Sequence, residues 1–334
     1  MIEDKILLGH GSGGILTHKL INEIFLPAFG GSSPLQDMDD ATLINVPSSA
    51  LVSTDTFTVS PLFFPGGNIG TLAIYGTVND IAVSTGKPIY LTVGMVIEEG
   101  FPIKDLKRIV ESMKKAADSV GVKIVAGDTK VVEKGKGDGI YINTTGIGAY
   151  GGLGTLSEDP IKPGDKIIIS GTIGDHAATI LINRENLGID ADIESDCSSV
   201  VNIVKTALSM GGVKWMRDPT RGGVGTTLNE LTMGKPFGAL LFEEALPIKD
   251  AVRGIAGLLG IDPLYMANEG RVLMVVAKDK AEEIVNAIRK LPEAQDSTII
   301  GEITESTPGK VKIKTQWAER FVPMLPGEQL PRIC

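Results

Sequence analysis

A two-domain α/β fold is what this sequence predicts, and three observations carry it. Apolar runs of strand length alternate along the chain with longer segments of helical period. A break rich in glycine and proline, Gly151-Gly152-Leu153-Gly154 followed by Ile161-Lys162-Pro163-Gly164-Asp165, divides that alternation in two. The 334 residues, 43% hydrophobic and 22% charged, are enough for two buried cores. The expected units are a glycine-rich segment with a helix (1–36), a first domain (37–153), a second domain (154–320) and a mobile tail (321–334).

Taken in order, Ile15 to Phe29 reads as a helix and Gly30 to Gln36 as loop. Residues 41–54 and 89–97 read as apolar strands, with Gly70 to Thr85 between them as an apolar helix rich in small residues. Leu62-Phe63-Phe64-Pro65 reads as core rather than as an interface patch. Ile103 to Val120 carries Ile103, Leu106, Ile109, Val110, Met113 and Ala117 at helical spacing, with Pro102 at its start and Gly121 just past its end. Strands at 122–127 and 140–148 complete the first unit, and Lys134-Gly135-Lys136 reads as a solvated hairpin turn. The second unit alternates strands (166–170, 238–243, 272–277, 297–303) with helices (174–186, 198–210, 222–233, 280–290).

Composition removes several function classes. A net charge of −9 and a pI near 5.0, without clustered Lys and Arg, argue against a nucleic-acid partner. The start, Met1-Ile2-Glu3-Asp4-Lys5, lacks the features of a signal peptide and no apolar run is long enough to span a bilayer, so a cytoplasmic protein is expected. Two cysteines distant in sequence make no disulfide framework, and His10, His18 and His176 make no zinc spacing with them. Cys197, ahead of an apolar helix, reads as inert.

Two glycine motifs match G-x-G-x-x-G. The first, Gly9-His10-Gly11-Ser12-Gly13-Gly14, lacks the second strand and acidic residue that a dinucleotide fold requires. The second, Gly146 to Gly151, runs into a linker where a helix should begin. No P-loop is present. The first loop still offers backbone N–H groups that an anion can approach closely.

More informative are aspartates at the ends of elements. Asp39-Asp40 opens a strand, Asp55 closes the strand Leu51 to Thr54, Asp80 follows Asn79 in a helix, and Asp128 follows the strand Val122 to Ala126. Each alone suits a turn or a cap. Converging, they would repel, and Mg²⁺ bridging phosphate oxygens is the usual relief, which predicts a metal-nucleotide site without a P-loop. Cys334 ends the sequence after Phe321 to Leu330, where two prolines and a glycine resist helix and strand. Extended from Phe321, such a tail reaches roughly 40 Å at about 3.3 Å per residue, far enough to carry a nucleophilic sulfur into a distant pocket. An accidental final residue is the alternative.

Together Gly9 to Gly14, Asp39-Asp40-Ala41-Thr42, Ser53-Thr54-Asp55-Thr56-Phe57, Asn68-Ile69-Gly70 through Asn79-Asp80, Gly127-Asp128-Thr129-Lys130 and Pro331-Arg332-Ile333-Cys334 resemble the HypE family of hydrogenase maturation factors, in order and over the whole chain. That family is similar to aminoimidazole ribonucleotide synthetase, selenophosphate synthetase and thiamine monophosphate kinase. The resemblance implies an α+β-like two-domain architecture whose N-terminal sheets pair in a homodimer. It implies ATP-dependent dehydration of an S-carbamoylated Cys334 to a thiocyanate, which supplies cyanide to the iron of [NiFe] hydrogenase. HypF would load the carbamoyl group and a HypC–HypD scaffold would receive the cyanide.

For the site, the resemblance implies Mg²⁺ at Asp39, Asp40, Asp55, Asp80, Asp128 and Asp218. It places ATP at His10, Gly11, Gly13, Asn79, Thr129, Thr220, Gly222 and Gly223, and catalysis at Cys334, Lys130 and Glu269. Read by itself, Asp218 suits a cap for the helix beginning at Gly222, and Lys130 is either a base or a phosphate contact. His10 stands in the region where selenophosphate synthetase has its reactive cysteine or selenocysteine, which counts against selenium chemistry. A small-molecule kinase or synthetase of the same superfamily is the rival enzyme reading, and a docking scaffold the non-enzymatic one.

Overall fold

The computed structural model describes residues 4–12, 14–30, 41–185, 191–327, 330 and 332–334. Gly13, Asp39 and Asp40 lie outside the described residues. The first sheet has the strand order β1(Ala50–Phe57), β6(Ile140–Ala149), β4(Lys87–Glu98), β5(Lys123–Val132), with β4 and β5 parallel and the other pairs antiparallel. On its inner face lie α3(Ile69–Val83) and α4(Ile103–Val120). Asn68 starts α3 by accepting the Gly70 and Thr71 N–H groups on its Oδ1. Gly121, at φ +70, ends α4 in the left-handed conformation that glycine adopts without strain.

Before this sheet, α1(Ile15–Leu20), a π-helical turn Ile21–Phe25 and α2(Leu26–Phe29) together form the helix expected from Ile15 to Phe29. The strand expected over 41–54 is shorter and later than its apolar content suggested: Leu43 is 93% exposed, and regular pairing begins only at Ala50. As a result Asp55 does not close β1 but sits inside it, and Asp128 likewise lies within β5 rather than after it. The short hairpin β2(Phe63–Phe64) and β3(Gly67–Asn68) buries Phe64, and Phe63 packs under the Arg108 guanidinium at 4.0 Å.

The second sheet runs β13(Glu319–Phe321), β12(Val311–Lys314), β9(Gly238–Phe242), β11(Thr298–Thr304), β7(Lys166–Ile169), β10(Leu273–Val276), β8(Val213–Arg217), antiparallel except for β12 and β9. Helices cover both of its faces. Ile167, Ile169, Leu273 and Val275 pack against α7(Gly223–Thr232), whereas Ile168, Met274 and Val276 pack against α6(Val201–Ser209) and α9(Ala281–Ile288). Coverage on both faces explains why these strands read as continuous apolar runs. The domain connection is clamped where Lys214 on β8, 2% exposed, donates to Asp165 at 2.9 Å and to the Pro160 carbonyl.

α5(Asp175–Glu185) and α8(Asp250–Leu259) belong to the second domain but pack into the core of the first, with Ala177, Ile180, Val252 and Ile255 buried there beside Ile333. The junction between the domains is therefore a continuous apolar core, and the tail is part of it.

Candidate active site

Three of the expected aspartates converge at that junction. Asp55 comes from the inner face of β1, Asp80 from the last turn of α3, and Asp218 from the loop between β8 and α7. The Ser53 hydroxyl donates to Asp80 at 2.6 Å, and Arg221 lies 4.0 Å from Asp55. Burial raises the pKa of each of the three carboxyls; Asp80 adds to the rise at Asp55, and Asp80 and then Asp55 add to it at Asp218, which is pushed up to about 7. Among the described residues no group is drawn close enough to form a finished metal site. The donor set nevertheless fits a divalent cation, since repulsion between half-buried carboxylates is what bound positive charge relieves.

Asp218 does not cap α7. The cap is Gly222, four residues later, at φ +73 and without a side-chain hydrogen bond. A Cβ at Gly223, φ +57, would lie 2.5 Å from the Met266 carbonyl oxygen. Glycines at this turn thus let the start of α7 press against the segment that carries Glu269, and the Gly223 N–H closes the turn on the Thr220 carbonyl at 3.0 Å.

A carboxyl whose pKa is raised on folding holds its proton more tightly in the folded chain, so its stabilisation is present below the ordinary value of 3.8 and is lost as pH rises through about 7. Without divalent cations, the Tm is expected to fall between pH 5 and pH 8, and Asp218→Asn to flatten that fall. Equal pH slopes for the two chains would refute this account of Asp218.

Glu269 is 3% exposed, and its Oε1 has no hydrogen-bond partner in the structure. Burial first, then the charges of Asp196, Asp218, Asp55 and Asp80, hold its carboxyl well above the usual range. Asp196 also anchors the backbone beside it, accepting from the Glu269 N–H at 3.2 Å and the Gly270 N–H at 3.3 Å, while Arg271 faces Asp196 at 3.4 Å. Asp196 and Arg271 carried no signal in sequence, because their pairing joins segments about 75 residues apart. Asn79 is buried with its amide committed to backbone: it donates to Ser198 and Glu269 carbonyls and accepts from Val200 N–H, tying α3 to the second domain. Cys197 is buried near Glu269, and burial pushes its thiol up, in keeping with an inert side chain.

Cys334 lines a cavity of about 350 Å³ with Arg221, Gly222, Thr226, Tyr265 and Ala267. Its backbone oxygen accepts from Thr58 N–H at 3.1 Å, just past β1. Thr220, Gly222, Gly223, the three aspartates, Glu269 and Cys334 therefore gather around one junction.

The other expected residues lie elsewhere. Lys130 and Asp128, both exposed on β5, form an ion pair at 2.8 Å; the bond from Lys130, first, holds the Asp128 carboxyl below its ordinary range. Gly11 packs on β5 so closely that a Cβ would lie 2.6 Å from the Val131 nitrogen. Buried His10, its Nε2 without a partner, lines a cavity of about 280 Å³ with Phe25, Phe29, Thr42, Asp128 and Thr129. β1 and β5 are opposite edges of the sheet, roughly 14 Å apart at about 4.8 Å per strand spacing. Lys130 and Glu269 are thus on different flanks of one chain.

Residues 38–150 match the N-terminal domain of AIR synthase related proteins, and residues 162–314 match their C-terminal domain. Across 97% of its length the chain is 46% identical to the carbamoyl dehydratase HypE of Azotobacter vinelandii, covering 96% of that protein. The chain belongs to the HypE carbamoyl dehydratase family of hydrogenase maturation proteins. A crystal structure of HypE in complex with ATP has a TM-score of 0.92 at 42% identity, with 98% of this chain and 99% of that one covered. HypE from a crystallised HypE–HypF complex has a TM-score of 0.78 at 45% identity, covering 91% and 99%. No described helix is long and apolar enough to cross a membrane.

Proposed function

We propose that the chain dehydrates an S-carbamoyl group on its own Cys334 to a thiocyanate, using ATP, as the source of the cyanide ligands of [NiFe] hydrogenase iron. The observation that carries this reading is the seat of Cys334, in a cavity walled by the start of α7 and two residues from Glu269 through Ala267. An amide oxygen is a poor leaving group. Transfer of the γ-phosphoryl group of ATP to that oxygen, with loss of one N–H proton, makes it a good one, and loss of the second N–H proton with expulsion of phosphate then forms the C≡N bond.

Glu269 is suited to take that proton, because a carboxyl raised by burial is a stronger base than an exposed one. Thr220 and Gly222 would present backbone N–H groups and a helix N-terminus to the phosphates, with Gly223 shaping the turn through its bond to the Thr220 carbonyl. Asp55, Asp80 and Asp218, with Asp39 and Asp40, would hold Mg²⁺, which supplies charge neutralisation for the triphosphate. The cavity beneath α1 and α2, apolar with His10, Thr129 and Gly11 nearby, suits a flat heteroaromatic base. HypF is the proposed donor of the carbamoyl group and a HypC–HypD complex the acceptor of the cyanide. The cytoplasm is the proposed compartment, where both cysteines, neither of them in a disulfide, stay reduced.

The separation of the two flanks supports a homodimer. The outer face of the first sheet presents Val52, 69% exposed, and Val96, 37% exposed. Two such faces packed together set β1 of one chain beside β5 of the other, so that Lys130 of the partner subunit would reach the phosphate end of the site. Chains carrying Lys130→Ala and Glu269→Gln, each inactive alone, are then expected to form mixed dimers with one intact site, in which only the Lys130→Ala chain loses water. If neither chain does, the site lies within a single chain. The dehydration itself is tested by the intact mass of the chain after HypF, carbamoyl phosphate and Mg²⁺-ATP: one carbamoyl group gained and one water then lost.

A further inference from the structure

His176, in the first turn of α5, is fully buried and belongs to none of the roles above. Its Nε2 lies 2.8 Å from the backbone oxygen of Ile333, and its Nδ1 lies 2.7 Å from the Ser195 hydroxyl. A carbonyl oxygen only accepts, so Nε2 carries the proton and Nδ1 accepts the one on Ser195. The Ser195 oxygen in turn accepts from the Cys197 N–H at 3.1 Å. This chain of donors fixes the tautomer, and the Phe64 ring, edge-on at 5.5 Å, fixes the tilt of the imidazole. Burial keeps the ring neutral, against the opposing pull of Asp196 and of the Ile333 bond.

Eight residues later, on the same face of α5, Arg184 donates to the backbone oxygen of Arg332 and, at 2.8 Å, to that of Ser60. Ser60 N–H reaches the same Arg332 oxygen, and Thr58 holds that of Cys334. The backbone oxygens of Arg332, Ile333 and Cys334 are thus each taken by a donor fixed in the fold, and the His176 bond is the fully buried one.

We propose that His176 is a positioning residue for the dehydration: it sets the register of the tail, so that the loaded sulfur of Cys334 arrives opposite the phosphates and Glu269. A slip of one residue would displace that sulfur by about 3.3 Å, and misplacement of that order is enough to cost about 100-fold in rate. This inference rests on the function proposed above. Together with the buried Ile333 side chain and the Arg332 guanidinium on the Thr58 carbonyl, it also makes the tail's recognition independent of what the sulfur carries.

The test is a single turnover of chain already carbamoylated by HypF, started with Mg²⁺-ATP and followed by intact mass. His176→Leu is expected to slow water loss about 100-fold while HypF loads it, and ATP binds it, as in the wild type. His176→Gln, whose amide N–H reaches the position of Nε2, is expected to recover to within a few-fold. Equal rates for folded His176→Leu and wild type would overturn the proposal, as would a folded Gln variant as slow as Leu, which would assign the effect to packing on Phe64. Should the Leu variant not fold, Ser195→Ala, which frees the tautomer, is expected to slow the same step without altering loading; an unchanged rate there overturns the proposal too. If the wild-type chain itself never loses water, the function has failed rather than the role of His176.

Discussion

Cys334→Ala is expected to give a folded chain that binds ATP as the parent does yet never gains a carbamoyl group. The reason is the way this residue is held. Its backbone oxygen, not its sulfur, makes the bonds to Thr58, and the side chain is only partly buried at the edge of a cavity, so alanine preserves the docking and removes little packing. What disappears is the nucleophile. Intact mass after incubation with HypF, carbamoyl phosphate and Mg²⁺-ATP separates the readings: the parent gains a carbamoyl group and then loses one water, and the variant stays at its starting mass. A variant that is carbamoylated and dehydrated like the parent would refute the role of Cys334. An ATP turnover on a free small molecule, unaffected by the substitution, would favour a kinase of the same superfamily.

Glu269→Gln is expected to trap the carbamoylated chain. On the proposed reading loading proceeds at another protein's site, so the adduct forms, but the base for the N–H proton is gone and water loss is expected to fall by about 10²–10⁴-fold. The substitution should not damage the fold. A neutral amide of the same shape replaces a carboxyl whose ionised form burial and the Asp196, Asp218, Asp55 and Asp80 carboxylates all oppose, so the Tm is expected to hold or rise at neutral pH. Dehydration at the parental rate in a folded Gln variant would assign the proton to another group, and a sharp fall in Tm would give Glu269 a structural role instead.

How much of this was legible in the sequence depended on whether the signal was local. The helix Ile103–Val120 was found at both ends because its apolar spacing, Pro102 and Gly121 all lie within it. β8 was missed because its second residue, Lys214, is a buried cation matched only by Asp165 across the fold, which spoils the apolar run. α8 was missed because Gly254 and Gly257 interrupt it; both face open space, so nothing in the packing requires them. Leu43 and Val46 gave the opposite error, since apolar side chains standing exposed look like strand until burial is known. In the site, short motifs revealed the aspartates and the glycine turn before α7. The raised pKa of Glu269 was not legible, since it arises from burial first and then from Asp196 and from carboxylates of three other segments. Nor was the placement of the expected site residues at two opposite sheet edges, because strand order is not written in strand sequence.

The tail is pinned twice, by Asn229 and Tyr265 at the Val322 and Pro323 carbonyls and by Thr58, His176 and Arg184 at its end. Releasing the outer clamp while the inner one holds leaves an arm of eleven residues, with a radius of roughly 36 Å at about 3.3 Å per residue. On the proposed reading, a carbamoyl donor and a cyanide acceptor must both come within that radius, and the sulfur that returns does so at a local concentration in the mM range, set by the tether and not by the abundance of the protein. Water loss is then first-order in the dimer: dilution that leaves the dimer intact will not slow it, a free thiol will not compete for it, and each copy carries one nitrile per cycle.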